Sequence, residues 1–178
     1  MAEARARTAT TQNVRMPMRD NVMLEADITF PSDDGEKPAA GPFPTLLLRT
    51  PYGRRMVSMA PPGQVASAEL VKLQGGAENG YVVIYQDVRG TASSDGEFSP
   101  MLNEAADGVD TLAWIRSQPW SDGRVGTFGP SYMGGVQALL AAEAPEGLVA
   151  SYSQVAATDQ CEVGWPYYGG VLSPFQHQ

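Results

Sequence analysis

Two short apolar runs, TLLLRT and YVVIYQ, and two further strand-like stretches, RVGTFG and LVASYSQVAA, recur along the chain with helix-forming stretches between them. That alternation limits the fold more than any other feature. A continuous apolar run of this length suits a strand buried on both faces. Strands separated by helical crossovers pair in parallel, so the pattern predicts an α/β fold with a mostly parallel, doubly wound sheet. The crossovers are predicted at residues 64–79, with Val65, Leu70, Val71 and Leu73 apolar and Gly80 closing the helix; at 105–117, with Val109, Leu112, Ala113 and Arg116 on one stripe and Pro119 stopping it; and at 132–144, ending before Pro145. Ahead of them, VRMPMRDNVMLEADITF gives two extended runs around Arg19-Asp20-Asn21, whose Asp and Asn tolerate turn geometry. This predicts a β-hairpin that adds an antiparallel edge to the sheet.

With 178 residues, 43% of them apolar, the chain can bury one core and is short for two. The expected division is a disordered tail over 1–13, a body over 14–158, and a last stretch, 159–178, where the pattern turns aromatic and Gly/Pro-rich without a period. Twelve basic against 20 acidic residues leave a formal charge of -8, which repels phosphate backbones and anionic lipid. Nucleic acid and membrane are therefore not expected partners. No run of 18 apolar residues occurs and the opening MAEARARTATTQ lacks the apolar core of a secretory signal, so a cytoplasmic protein is expected. The single cysteine, Cys161, allows neither an internal disulfide nor a multi-cysteine metal site. No Gly-x-Gly-x-x-Gly or Walker loop follows a strand, and no cofactor is implied.

The stretch richest in chemistry is RVGTFGPSYMGGVQALLAA, where a strand runs through Gly129-Pro130-Ser131 into a helix. A serine on such a sharp elbow presents its hydroxyl as a nucleophile and needs small neighbours, here Gly129, Gly134 and Gly135. The backbone N–H of Tyr132, at the start of the helix, is then placed to donate to a developing oxyanion. Met133 stands where the general elbow pattern has its second glycine. Read alone, the same residues also fit an ordinary turn or helix cap.

The stretch EAADGVDTLAWIRSQPWSDGRVGTFGPSYMGG resembles the corresponding region of the cocaine esterase and X-Pro dipeptidyl-peptidase-like (CocE/NonD) hydrolases, whose elbow also reads Gly-x-Ser-Tyr-x-Gly. MRDNVMLEADITFP, LLLRTPYGRR, YQDVRGTASSDGEF and GWPYYGGVLSPF extend the likeness over nearly everything after residue 13. It implies an α/β-hydrolase fold and a serine esterase, amidase or X-Pro peptidase acting on a small-molecule ester or amide or on a peptide. It further implies that the Tyr52 hydroxyl is the second oxyanion donor, a role suited to a phenol in the loop after a core strand. Asp87-Val88-Arg89-Gly90 matches a family loop, read here as structural, with a carboxylate and guanidinium holding it. Trp165 and Tyr168 fall where the helical cap begins and, by resemblance, contribute to an acyl pocket. Glu104, Asp107 and Asp110 read as a solvated helix start, where acids favour the dipole, rather than as metal ligands.

A serine nucleophile needs a base, and in this fold the order is Ser, then Asp or Glu, then His. The one histidine, His177, is the penultimate residue, with only Asp159 and Glu162 as acids between the last strand and the end. In the family the acid and histidine come from later strands, beyond the cap, and a C-terminal jelly roll follows. The expectation is a truncated hydrolase whose Ser131 is in place and largely idle. The competing reading is a non-catalytic relative that binds a small acyl ligand or a partner.

Overall fold

The computed structural model describes residues 7–59, 74–156, 167–168 and 171–172. Six strands form one sheet in the order β1-β2-β4-β3-β5-β6: β1 Arg7–Pro17, β2 Met23–Ser32, β3 Phe43–Thr50, β4 Val82–Asp87, β5 Ser121–Pro130 and β6 Leu148–Gln154. The first two make the antiparallel hairpin, β2 runs antiparallel to β4, and β4, β3, β5 and β6 are mutually parallel. The hairpin turns at Arg19-Asp20-Asn21 as expected, with Asn21 at φ 67° and the Met18 and Val22 backbones bonded across it.

The hairpin is longer than the sequence suggests. β1 begins at Arg7, so residues 7–11, expected to be tail, pair with β2 as far as Ser32, with an irregularity before pairing resumes at Val14. Threonines 8, 10 and 11 are β-branched and favour a strand, but being polar they give no apolar alternation to detect. The Thr10 and Thr29 hydroxyls meet across the pair at 3.0 Å, and only Ala9 among these residues is buried.

Alternate strand residues feed two separate apolar layers. Leu47, Val82, Ile84 and Val125 pack with Leu112 and Ile115 of α3 (Glu104–Arg116) on one face. Leu48, Val83 and Tyr85 pack with Ala77 of α2 (Gln74–Glu78) on the other, with Val57 of α1 (Arg54–Met59) against them. Helices on both faces are what the central parallel strands require, since neither of their faces can be left to water, while β6 at the edge is largely exposed. α1 carried no sequence signal. Of the helix expected over 64–79 only α2 is described, and the chain leaves it through Gly80 at φ 86°.

α3 lies where expected, but only part of the predicted stripe faces the core: Leu112 is buried and Val109 packs against it. Glu104, Asp107, Gly108, Thr111, Leu112 and Ile115 are buried, while Ala113 is exposed. Charged side chains at its start also point inward, for a reason given below. α4 (Tyr132–Ala142) follows β5 directly. No helix among the described residues is long and apolar enough to cross a membrane.

Candidate active site

Parallel strands end on the same side of a sheet, and the loops that leave those ends are where α/β folds gather chemistry. Here β4, β3 and β5 are neighbours in that order, so the loops after Asp87, Thr50 and Pro130 emerge side by side. The register Leu47↔Thr127 between β3 and β5, carried three residues on, sets Thr50 level with Pro130. Tyr52 and Ser131 thus leave adjacent strands at one edge.

Ser131 is exposed and sits between β5 and α4 at φ 56°, ψ −127°, outside the regions open to a side-chain-bearing residue without strain. Such a conformation costs about 1–3 kcal/mol and persists only where its surroundings enforce it. They do so through the backbone. The Ser131 N–H donates to the Gln154 carbonyl of β6 at 2.9 Å, and its carbonyl accepts from the Gly134 and Gly135 amides. Its side chain does not cap the helix.

The glycines expected around the serine have measurable reasons. A Cβ on Gly129 would lie 2.5 Å from the Met133 Cβ, and one on Gly134 would lie 2.7 Å from the Ala156 Cβ. Met133, the departure from the general pattern, is buried among Leu48, Val83 and Tyr85. Having no side chain at 129 is what lets a methionine stand at 133, so the steric need of the elbow is met from the strand side.

Sequence reasoning did not find Gln137. Its buried amide donates to the Gly129 carbonyl and the Met133 carbonyl, each at 3.2 Å, and accepts from the Thr127 and Ser151 hydroxyls at 3.1 and 3.2 Å. One side chain therefore ties the backbone two residues before Ser131 to the backbone two residues after it, and both to β6. A lone glutamine in a helix carries no pattern by which to detect this.

Tyr132 is the first residue of α4, so its N–H has no acceptor within the helix and is directed out of the N-terminus. Its phenol donates to the Glu104 carboxylate at 3.0 Å and accepts from the Met101 amide at 3.1 Å. Burial, then the charge of Glu104, holds that phenol above its ordinary pKa. Tyr52 is half exposed in the loop after β3, its ring edge-on to Tyr132 with 6.5 Å between centroids. An open cleft of 420 Å³ beside Tyr52 is lined by residues including Gly53, Met56 and Ala92.

The acids at the start of α3 are not solvated as expected. Glu104 and Asp107 are 4% and 2% exposed, and each faces an arginine from a distant segment. Arg49 lies 3.2 Å from the Glu104 carboxylate and donates to the Glu104 carbonyl at 2.7 Å. Arg89 makes a two-point contact with Asp107 at 2.7 and 3.0 Å and reaches Asp20. Asp110 holds Arg19 in the hairpin turn. Burying a carboxylate without a partner is prohibitive, so these pairs account for the buried start of α3. No cluster able to hold a metal ion occurs among the described residues.

The Asp87–Arg89 loop is held by ion pairs, though not by one between its own members. Asp87, wholly buried, pairs with Arg54, which also meets Asp27 and Glu25. Arg89 turns instead to α3. Gly90, at φ 68°, leaves no room for a side chain, since a Cβ there would fall 2.1 Å from the Phe98 nitrogen.

Trp165, His177, Asp159 and Glu162 lie outside the described residues. Tyr168 pairs in a short antiparallel ladder, β7 Tyr167–Tyr168 with β8 Val171–Leu172. Among the described residues there is no histidine.

Comparison with known proteins gives the family and the fold. The family model described as X-Pro dipeptidyl-peptidase (S15 family) matches residues 20–178. A cocaine esterase from Rhodococcus sp. (strain MB1 Bresler) is 39% identical over 165 residues, covering 93% of this chain and 27% of its own length. A putative serine esterase of Mycobacterium bovis is 32% identical over 135 residues, 69% of this chain and 21% of that one. Among solved structures, an α-amino acid ester hydrolase superposes with a TM-score of 0.63 at 28% identity, over 84% of this chain and 26% of that one. A CocE/NonD family hydrolase from Staphylococcus aureus gives 0.63 at 26%, over 80% and 26%. The fold is that of these α/β hydrolases, and the chain spans about a quarter of the length of the relatives it matches.

Proposed function

Because this chain belongs to the X-Pro dipeptidyl-peptidase (S15) family, we propose that it carries the nucleophile and both oxyanion donors of a serine acyl hydrolase, with the proton-transfer groups outside the described residues. Ser131 attacks the carbonyl carbon of an ester or amide. The negative charge that develops on the carbonyl oxygen is taken by the Tyr132 N–H and the Tyr52 hydroxyl, donors that cost no reorganisation when already in place. Collapse expels the alcohol or amine and leaves an acyl group on Ser131, which water then removes.

The observation that carries this reading is the backbone of Ser131. A non-glycine residue at φ 56°, ψ −127° at the end of a parallel strand, with its hydroxyl unused by the helix it caps, is costly and gains nothing structural in return. The relatives' names point the same way: one is an esterase of cocaine, another a hydrolase of α-amino acid esters, and the family a peptidase of X-Pro peptides. Small esters and amides or short peptides are the substrate class proposed. The pseudo-hydrolase alternative fits the lack of a histidine among the described residues but leaves the backbone strain at Ser131 unaccounted for.

An activated aryl ester tests the proposal, because its leaving group departs with little help from a base. After incubation with p-nitrophenyl acetate, an acetyl group mapped by mass spectrometry to Ser131, and missing from Ser131→Ala, is expected. Acetylation confined to lysines and the N-terminus, with Ser131 bare, overturns it.

A further inference from the structure

The two proposed oxyanion donors belong to different loops, yet one side chain touches both positions. Tyr132 supplies its N–H from the main chain, and its ring stands against the ring of Tyr52. That ring is restrained at its far end, where the phenol bridges the Glu104 carboxylate and the Met101 amide. Phe98 flanks it, with centroids 6.1 Å apart. Glu104 in turn is fixed from below: it is the first residue of α3, and Arg49 of β3 holds both its carboxylate and its carbonyl. Arg49 is itself held by Gln86 of β4 at 2.8 Å.

This chain of contacts crosses from the β3–β4 centre of the sheet to the loop bearing Tyr52. Nothing in the stability of the fold requires it to end on a half-exposed tyrosine. The phenol also gives the buried Glu104 a hydrogen-bond partner, but that role alone would not call for its ring to stand against Tyr52. The arrangement makes sense if the position of the ring matters. Displacing a donor by even part of an ångström weakens a hydrogen bond to an oxyanion that exists only briefly.

On the reading that Ser131 is the nucleophile, we infer that Tyr132 acts through its side chain as a positioning residue, with Glu104 and the Met101 amide pinning its phenol so that its ring sets Tyr52 and its backbone sets the second donor. The Tyr132 phenol takes no part in proton transfer; it keeps its proton and donates it in a hydrogen bond to Glu104. Glu104 is likewise a positioning residue.

Tyr132→Phe removes only the pinned oxygen and keeps the ring, the N–H and the fold. Two measurements on it separate the inference from the nucleophile reading. In the first, acylation of Ser131 by p-nitrophenyl acetate is followed at rising ester concentration. The rate constant at saturation is expected to fall about tenfold while the half-saturating concentration stays within about twofold, because the lost contact serves the transition state and not ester binding. An unchanged saturating rate overturns the inference. A thermal midpoint within a few degrees of the parent confirms that the loss is not one of folding.

The second is independent of any reaction. Nuclear Overhauser contacts between the rings at 52 and 132 are expected to be strong in the parent and clearly weaker in Tyr132→Phe. Equal contacts overturn the inference even if Ser131 never reacts; weaker contacts sustain it, and a failure of the parent to acylate then counts against the nucleophile alone.

Discussion

The serine elbow and the start of α3 lie close together and are built by opposite means. Around Ser131 the contacts are neutral and mostly short in sequence: backbone amides, three small residues, and the Gln137 side chain reaching 4 and 8 residues back, with β6 joined through the Gln154 carbonyl and the Ser151 hydroxyl. Around α3 they are charged and long-range, Arg49 meeting Glu104 across 55 positions and Arg19 meeting Asp110 across 91. The elbow stores strain and needs a scaffold that cannot shift; short covalent distances and close packing supply it. The loops around it need only be located, and paired charges locate them from a distance at the cost of desolvation. Rigidity at Ser131 and anchorage of its surroundings are thus separate devices, and they should fail separately.

The sharpest break is on the charged side. Arg54→Met leaves Asp87 buried without its counter-charge and Asp27 and Glu25 short of one, and is expected to lower unfolding stability by about 3–5 kcal/mol in urea titration. A loss below about 1 kcal/mol would mean that the cluster is not the anchor described. On the neutral side, Gly134→Ala forces a methyl to 2.7 Å from Ala156 and 2.8 Å from the Ser153 hydroxyl. About 1–3 kcal/mol of stability should go with it, and acylation of Ser131 should be lost more completely than stability. Gln137→Leu removes the clamp without adding bulk; about 1–2 kcal/mol is expected, again with a larger effect on acylation than on the melt.

Acid distinguishes the two regions in another way. Burial pushes Asp27 up, but hydrogen bonds from the Asn13 amide and Arg54 outweigh it and hold the carboxyl below its ordinary pKa; for Asp110, Arg19 does the same against burial. Groups depressed in the folded state stabilise above the unfolded value and lose that contribution as pH falls through the folded one. The melting midpoint should therefore be level between about pH 7 and 5 and decline below about pH 4. A variant lacking Asp110 should show a shallower decline, whereas Gln137→Leu should leave its shape unchanged. The smallest effect belongs to the exposed Arg124–Asp122 pair, where Arg124→Ala should cost less than about 0.5 kcal/mol.

The same contrast decides what could be read in the sequence. Strands β3 to β6, α3 and α4 followed from apolar runs and their breakers, and the hairpin turn from Asp20 and Asn21, because each signal lies within one local segment. The elbow was legible for the same reason, glycines and serine being contiguous. What could not be read depends on partners far along the chain. Glu104 and Asp107 look like any acids at a helix start until Arg49 and Arg89 are brought to them, and that pairing buries the polar start of α3 alongside Leu112. Asp87 likewise turns from its neighbour Arg89 to Arg54. Gln137 was missed for a different reason: its partners are backbone carbonyls and hydroxyls, which no residue pattern marks. The early start of β1 escaped because threonine favours strands without being apolar.

A fluorophosphonate probe sets Ser131 against every other serine of the chain in one reaction, and it bears most directly on whether the strained elbow presents a nucleophile. Labelling that is slow, confined to Ser131 and abolished in Ser131→Ala is the expected result on the proposed reading, because oxyanion stabilisation acts even without a general base. Labelling spread over other serines, or undiminished in Ser131→Ala, would contradict it.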